Sequence, residues 1–236
     1  MFGFALDTGK DPEIISFIEN VKNIEGSSFI VYKKIRLINV HNVSSIKYAI
    51  EKSLKTYENN GFIYILDQQK KIVSGTFISN IKIIKSKRNN ITLCGMVWCQ
   101  PKGYQKAWHM KVNNEIIEKD IWKTFKKNEL QGWLVYALNS NECNIKKDNI
   151  KIELDGNLFH NVDSFFCALG EEVNGPGGYF GRNLYALDDC LRGDFGVKSI
   201  SEFTWINHRR SKKLFKTQFI EIINIFEKYD VKVLLS

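Results

Sequence analysis

The sequence is poor in the residues that mark several functional classes. Proline occurs 3 times in 236 residues, which leaves no extended proline-rich linker. No apolar run approaches the ~18 residues that a membrane-spanning helix needs, and residues 1–12 lack the pattern of a signal peptide. The expectation is a cytoplasmic protein with no membrane partner. The five cysteines, Cys94, Cys99, Cys143, Cys167 and Cys190, are odd in number and irregularly spaced. A zinc site would need a second ligand pair at suitable spacing, and none is present. Reduced, mostly buried thiols are expected instead. His109 and His160 belong to no legible Cys/His or Ser/His/Asp arrangement. These absences argue against catalysis, a metal and a cofactor.

What is present is an ordinary globular composition, 44% hydrophobic and 25% charged, with an uneven charge. Residues 1–150 hold 23 Lys+Arg against 14 Asp+Glu, a balance of +9, whereas residues 151–236 hold 11 against 12, a balance of −1. Such asymmetry implies two units with different surroundings. The polar run NSNECNIKKDN (139–149) is the best linker, so domains are expected at 1–148 and 149–236.

The first is a basic α+β domain of unrecognised fold. Strand-like runs are SSFIVYKKIRLINV (27–40), GFIYILD (61–67), two or three segments within 71–100, and GWLVYAL (132–138). Helices are predicted from Ser44 or Ser45 to about Glu58 and over 114–127. After the linker the pattern becomes α/β. Strands at 150–156, 200–207 and 231–236 are separated by helices at 162–173, 182–191 and 211–229, which predicts parallel pairing through right-handed crossovers.

The most informative stretch is NGPGGYFGRNLYALDDCL (174–191). A dinucleotide fingerprint would need a strand before its glycines, and here a helix precedes them; no Lys-Ser/Thr follows to make a P-loop. A nucleotide-dependent enzyme using this loop is therefore the weakest reading. A plain turn explains the glycines but not the helix after them. At ~100° per residue, Leu184, Leu187, Cys190 and Leu191 share a core side. Tyr185, Asp188, Asp189 and Arg192 lie opposite, and Tyr179 and Phe180 are expected to be exposed or half-buried in the loop. Rings and short carboxylates gathered on one face suit a specific interface with a basic partner.

YFGRNLYALDDCL resembles the barstar family signature, and the similarity extends over residues 150–236 through LDG (154–156), Trp205, SKKL (211–214) and VKVLLS (231–236). The resemblance implies a three-stranded parallel sheet with helices, and inhibition of a barnase-type ribonuclease by plugging its RNA-binding groove. Tyr179, Gly181, Asn183, Leu184, Ala186, Leu187, Asp189, Cys190 and Leu191 sit at matching positions, and Tyr179 and Asp189 would be the aromatic and central acidic contacts. The implied protein-binding set is Tyr179, Phe180, Gly181, Asn183, Tyr185, Asp188, Asp189 and Arg192. Three departures matter. Tyr185 stands where barstar has an interface aspartate, Asp188 where it has tryptophan, and Glu227-Lys228 near a position that is glutamate in barstar. The expected role is that of an immunity protein, an antitoxin in bacterial competition whose partner is a cognate ribonuclease or a related basic toxin domain.

Residues 1–148 carry no recognised family resemblance. Their charge, with Tyr32, Tyr57, Trp98, Trp108, Trp122 and Trp133, permits a nucleic-acid-associated regulator as the alternative. That reading ranks below a second protein-binding surface, because Lys, Ile and Asn abound along the whole chain.

Overall fold

The computed structural model describes residues 1–56, 59–141 and 147–236. Tyr57, Glu58, Cys143 and the middle of the 139–149 run lie outside the described residues. The chain divides into two compact units, Met1–Asn113 and Asn114–Ser236.

The first unit contains β1 (Phe2–Leu6), β2 (Ser16–Lys22), β3 (Ile30–Val40), α1 (Val43–Thr56), β4 (Gly61–Leu66), β5 (Ile72–Lys87), β6 (Asn90–Trp98) and α2 (Tyr104–Val112). Its strands form a closed antiparallel barrel in the order β1-β2-β3-β6-β5-β4, completed by pairing of β1 with β4. Alternation sets the faces: Ile35, Leu37, Leu93 and Val97 fill the interior, while Lys34 and Arg36 point outward. The 16-residue β5 follows the curved wall through register shifts at Ser79/Lys82 and Ile83/Lys85, where extra residues bend a strand. Buried Ile46 and Ile50 lie on α1, which packs on β1, β2 and β5. On α2, the Tyr104 hydroxyl lies 2.6 Å from that of Ser74, and His109 lies edge-on to Phe2.

The second unit contains α3 (Leu130–Asn139), β7 (Ile150–Asp155), α4 (Val162–Asn174), α5 (Leu184–Leu191), β8 (Ile200–Ile206), α6 (His208–Phe215), α7 (Thr217–Lys228) and β9 (Lys232–Leu235). The sheet is parallel, in the order β7-β8-β9, as the strand–helix alternation predicts. Trp205 centres its core, with Phe159, Phe165, Phe203, Phe215 and Phe219 arranged around the indole at 4.7–6.2 Å between ring centroids.

Four expectations are corrected. The helix predicted over 114–127 is absent, since Asn114 and Asp120 adopt left-handed backbone (φ 56° and 75°). Only a 3-10 turn at Ile121–Thr124 remains there. GWLVYAL is helical, not extended. A short apolar run is ambiguous by periodicity alone, and this one is buried along most of α3, which packs on α4. The single helix predicted over 211–229 is two, broken at Lys216 (φ 55°, ψ −120°) with no proline or glycine to announce it. Finally, the units divide after Asn113, not near residue 148, because residues 114–140 pack on the sheet domain that follows them.

Lys216 holds a conformation that suits glycine and costs a side-chain-bearing residue about 1–3 kcal/mol. Lys216→Gly releases that strain but gives back about 0.4–1 kcal/mol through the freer unfolded chain. The expected result in denaturant unfolding is a net gain of about 1 kcal/mol, with no such gain from Lys216→Ala.

Candidate functional site

The glycine loop is packed against the helix before it. A Cβ on Gly170 of α4 would collide with the carbonyl oxygen of Gly178 and come within 3.2 Å of the Phe180 nitrogen. Asn174 reinforces this fold-back, its Nδ2 donating to the carbonyls of Tyr179 (2.7 Å) and Phe195 (3.0 Å). The consequence is a correction: Tyr179 and Phe180 are drawn inside, at 2% and 0% exposure. Tyr179 packs beside Phe195, and burial, aided by the neighbouring Cys190, holds its phenol well above the usual range.

Gly181 turns the chain into α5 with φ 92°, and a Cβ there would come within 3.1 Å of the Leu187 nitrogen. Only glycine meets both demands. Asn183 is the N-cap, accepting from the Ala186 amide at 2.9 Å. Leu187, Cys190 and Leu191 are buried, as their spacing implies, and Leu184 is half-buried.

The opposite side of α5 carries Tyr185, 86% exposed, with Asp188, Asp189 and Arg192. The two aspartates differ. Asp188 is only 18% exposed, and it accepts from Lys228 Nζ at 2.6 Å and Arg192 Nη2 at 2.8 Å. The hydrogen bond from Lys228, supported by Arg192, holds its carboxyl below the usual range. Arg192 Nε also donates to the Tyr229 hydroxyl at 3.2 Å. Asp189 is 63% exposed, with the Arg192 guanidinium 3.7 Å away. Asp189 and Tyr185 are thus presented to solvent, while Asp188, Arg192, Lys228 and Tyr229 form a knot that ties α5 to the end of α7.

The comparisons with known proteins bear on this same region of the chain. Residues 150–233 match the family described as Barstar (barnase inhibitor). The amino-terminal region matches no family, and no curated protein matches the chain. The family matched there is one of inhibitors rather than enzymes. Among the described residues no group of three or more His, Cys, Asp or Glu could hold a metal ion, and no helix is long and apolar enough to cross a membrane.

The barstar-family match begins at residue 150, whereas the compact unit begins at Asn114, and the intervening segment grips the glycine loop. Glu171, on α4, is 2% exposed. Its Oε2 accepts from the Asp120 amide (2.7 Å) and from Trp122 Nε1 (3.1 Å), and its Oε1 accepts from the Gly177 amide (3.2 Å). Gln131 on α3 donates to the Asp163 carboxylate (2.7 Å) and to the Arg182 carbonyl (3.3 Å), just before the N-cap of α5. Sequence patterning assigns neither Glu171 nor Gln131 a structural role. The available signal was a glutamate three residues after Ala168 and four after Cys167, hence on the buried side of α4.

Burial raises the carboxyl pKa of both Glu171 and Asp163. A raised carboxyl pKa means that the folded state holds the proton more tightly. The stability contributed by both groups is therefore full below the unfolded-state value, about 4, and is lost as pH rises through the raised values.

Glu171→Ala leaves three inward-facing donors unmatched and should cost about 3 kcal/mol or more, at about 1–3 kcal/mol for each unsatisfied group. Glu171→Gln should cost less at neutral pH and remove Glu171's share of the decline in stability as pH rises above about 4. Residues 114–236, expressed alone, should unfold cooperatively in a thermal melt. Residues 150–236 should melt at a markedly lower temperature or without cooperativity.

Proposed function

We propose that this protein is an immunity protein that neutralises a ribonuclease-type toxin in the cytoplasm of the producing cell, through the outer side of α5. The observation that carries the reading is Asp189, an exposed carboxylate at a matching position of the barstar-family signature, on a helix clamped at both ends and one turn from a nearly bare tyrosine. A ribonuclease groove presents cationic side chains for a phosphate, and a fixed carboxylate can take that place through charge-assisted hydrogen bonds. Tyr185 supplies a rigid ring at low entropic cost, as interface aromatics do.

The reading narrows the contact set. Tyr179, Phe180, Gly181 and Asn183 shape the loop and cap the helix, so their contribution to binding is indirect. Asp188 is neutralised by Lys228 and Arg192 and adds little net charge to the face. A partner fitted to Asp189 and Tyr185 differs in detail from barnase, because an aspartate position of barstar has become an aromatic one. The complement is a groove with a central cation cluster and an apolar shelf beside it.

Asp189→Ala should weaken binding to the purified toxin by about 2–5 kcal/mol, a general range for truncating one partner of a buried charge pair in which barnase–barstar is itself an example. The loss should come mainly from faster dissociation in surface plasmon resonance, with little change in the melting temperature. Tyr185→Ala should act the same way. Tyr179→Ala and Leu187→Ala should instead lower stability, Leu187→Ala by roughly 2–5 kcal/mol through the cavity it leaves. Full affinity in Asp189→Ala would move the interface elsewhere.

A further inference from the structure

The outer wall of the amino-terminal barrel combines rings with unopposed positive charge. Phe62, Phe77 and Trp98 stand side by side on β4, β5 and β6, with ring centroids 5.0 and 4.9 Å apart, and Ile30 of β3 pairs with Trp98 to extend the row. All four are half-buried or exposed, and Phe29 before β3 is 71% exposed. The next outward row holds Tyr32, 58% exposed, with its hydroxyl 3.0 Å from the sulfur of Cys94. Beyond it Lys34 and Lys82 flank Cys94, and Arg36 and Lys85 flank Thr92, in the register of β3, β6 and β5.

Strands β3, β4, β5 and β6 contain no aspartate or glutamate at all. Among the described residues Lys34, Arg36, Lys82 and Lys85 have no carboxylate partner, in contrast to the paired lysines of the second unit. Carboxylates do appear at its borders, where Asp7 acts on Tyr64 and Glu19 accepts from Asn39 at the end of β3. Of the aromatics that composition offered, Trp108, Trp122 and Trp133 are buried, whereas Tyr32 and Trp98 lie on this wall.

We infer that this wall binds single-stranded nucleic acid, with phosphates on the Lys34/Arg36/Lys82/Lys85 cluster and bases against Tyr32, Phe29 and the Trp98 row. A sheet surface with flush rings beside a cation track suits unstacked bases, which every ring can accept, whereas reading a duplex calls for an element that enters a groove. The inference is independent of the toxin-binding reading, since no residue is shared between the two surfaces.

The test is fluorescence anisotropy of the full-length protein with labelled 12-nucleotide RNA and DNA single strands and a duplex of the same sequence, across a salt series. Binding of single strands at physiological salt, with the duplex weaker, is expected. Replacing Lys34, Arg36, Lys82 and Lys85 together by Ala should reduce the steepness of log affinity against log salt by up to about 3, at about 0.7 for each phosphate no longer neutralised. Tyr32→Ala and Phe29→Ala should each weaken binding roughly tenfold with little effect on the salt slope. A control that removes Arg209, Arg210 and Lys213 from α6 should bind as the parent does. Circular dichroism melts verify that each variant is folded. The inference is overturned if single strands fail to bind at physiological salt, if the α6 control weakens binding as much as the quadruple variant, or if the wall variants lose affinity for the purified toxin instead.

Discussion

The carboxylate of Glu171 is the contact on which the second unit depends. It is buried, its oxygens satisfy three donors, and those donors come from two places that sequence alone would not join: the 3-10 turn around Asp120–Trp122 and the glycine loop at Gly177. An ion in such a position is costly unless its acceptor capacity is met, and here desolvation still raises its pKa. The arrangement therefore makes a weak contribution to net stability and a strong one to specificity of structure. Any packing that moved the loop away from α4 would leave the carboxylate or its donors stranded. The loop in turn fixes the entry angle of α5, so the orientation of Asp189 rests on a contact made by residues outside the barstar-family match.

This dependence changes how the family signature is read. In YFGRNLYALDDCL the aromatic pair is core, the glycine is a backbone requirement, the asparagine is a cap and Leu187, Cys190 and Leu191 are packing. The positions that the fold does not use are Tyr185 and Asp189. A signature of this kind reports the scaffold, since most of its positions are used by the fold itself. Asp188 illustrates the point from the other side. Its carboxylate is taken up by Lys228 and Arg192, which makes it part of the scaffold as well.

The sequence made the second unit legible because its strands and helices alternate with the right periods and its glycine loop is long and ordered. What it concealed has physical causes. The inward turn of Tyr179 and Phe180 depends on the close approach of Gly170 to Gly178, a tertiary contact with no local signal. The helical state of GWLVYAL depends on burial along most of α3, which removes the periodicity that would distinguish helix from strand. The break at Lys216 occurs at a residue with no turn preference. In the first unit, the helix at 43–56 and the strands at 30–40 and 61–66 were legible from patterning, but closure into a barrel depends on pairing of β1 with β4, which alternation does not encode.

The distribution of charge is the property that joins the two units in one account. The second unit neutralises many of its cations locally: Lys119 with Glu172, Lys151 and Lys232 with Glu202, and Lys228 with Asp188. Among the described residues, the barrel wall does not. Its cations on β3 and β5 are separated by β6, hence by roughly 9–10 Å at the usual strand spacing, close to the screening length of about 8 Å at physiological salt. Mutual repulsion at that distance is small, so the cluster persists at little cost to folding, yet one polyanion laid across β6 would meet both columns at once. That asymmetry, small in the free protein and additive in a complex, is why an unneutralised sheet face points to a ligand more strongly than the same net charge scattered over loops.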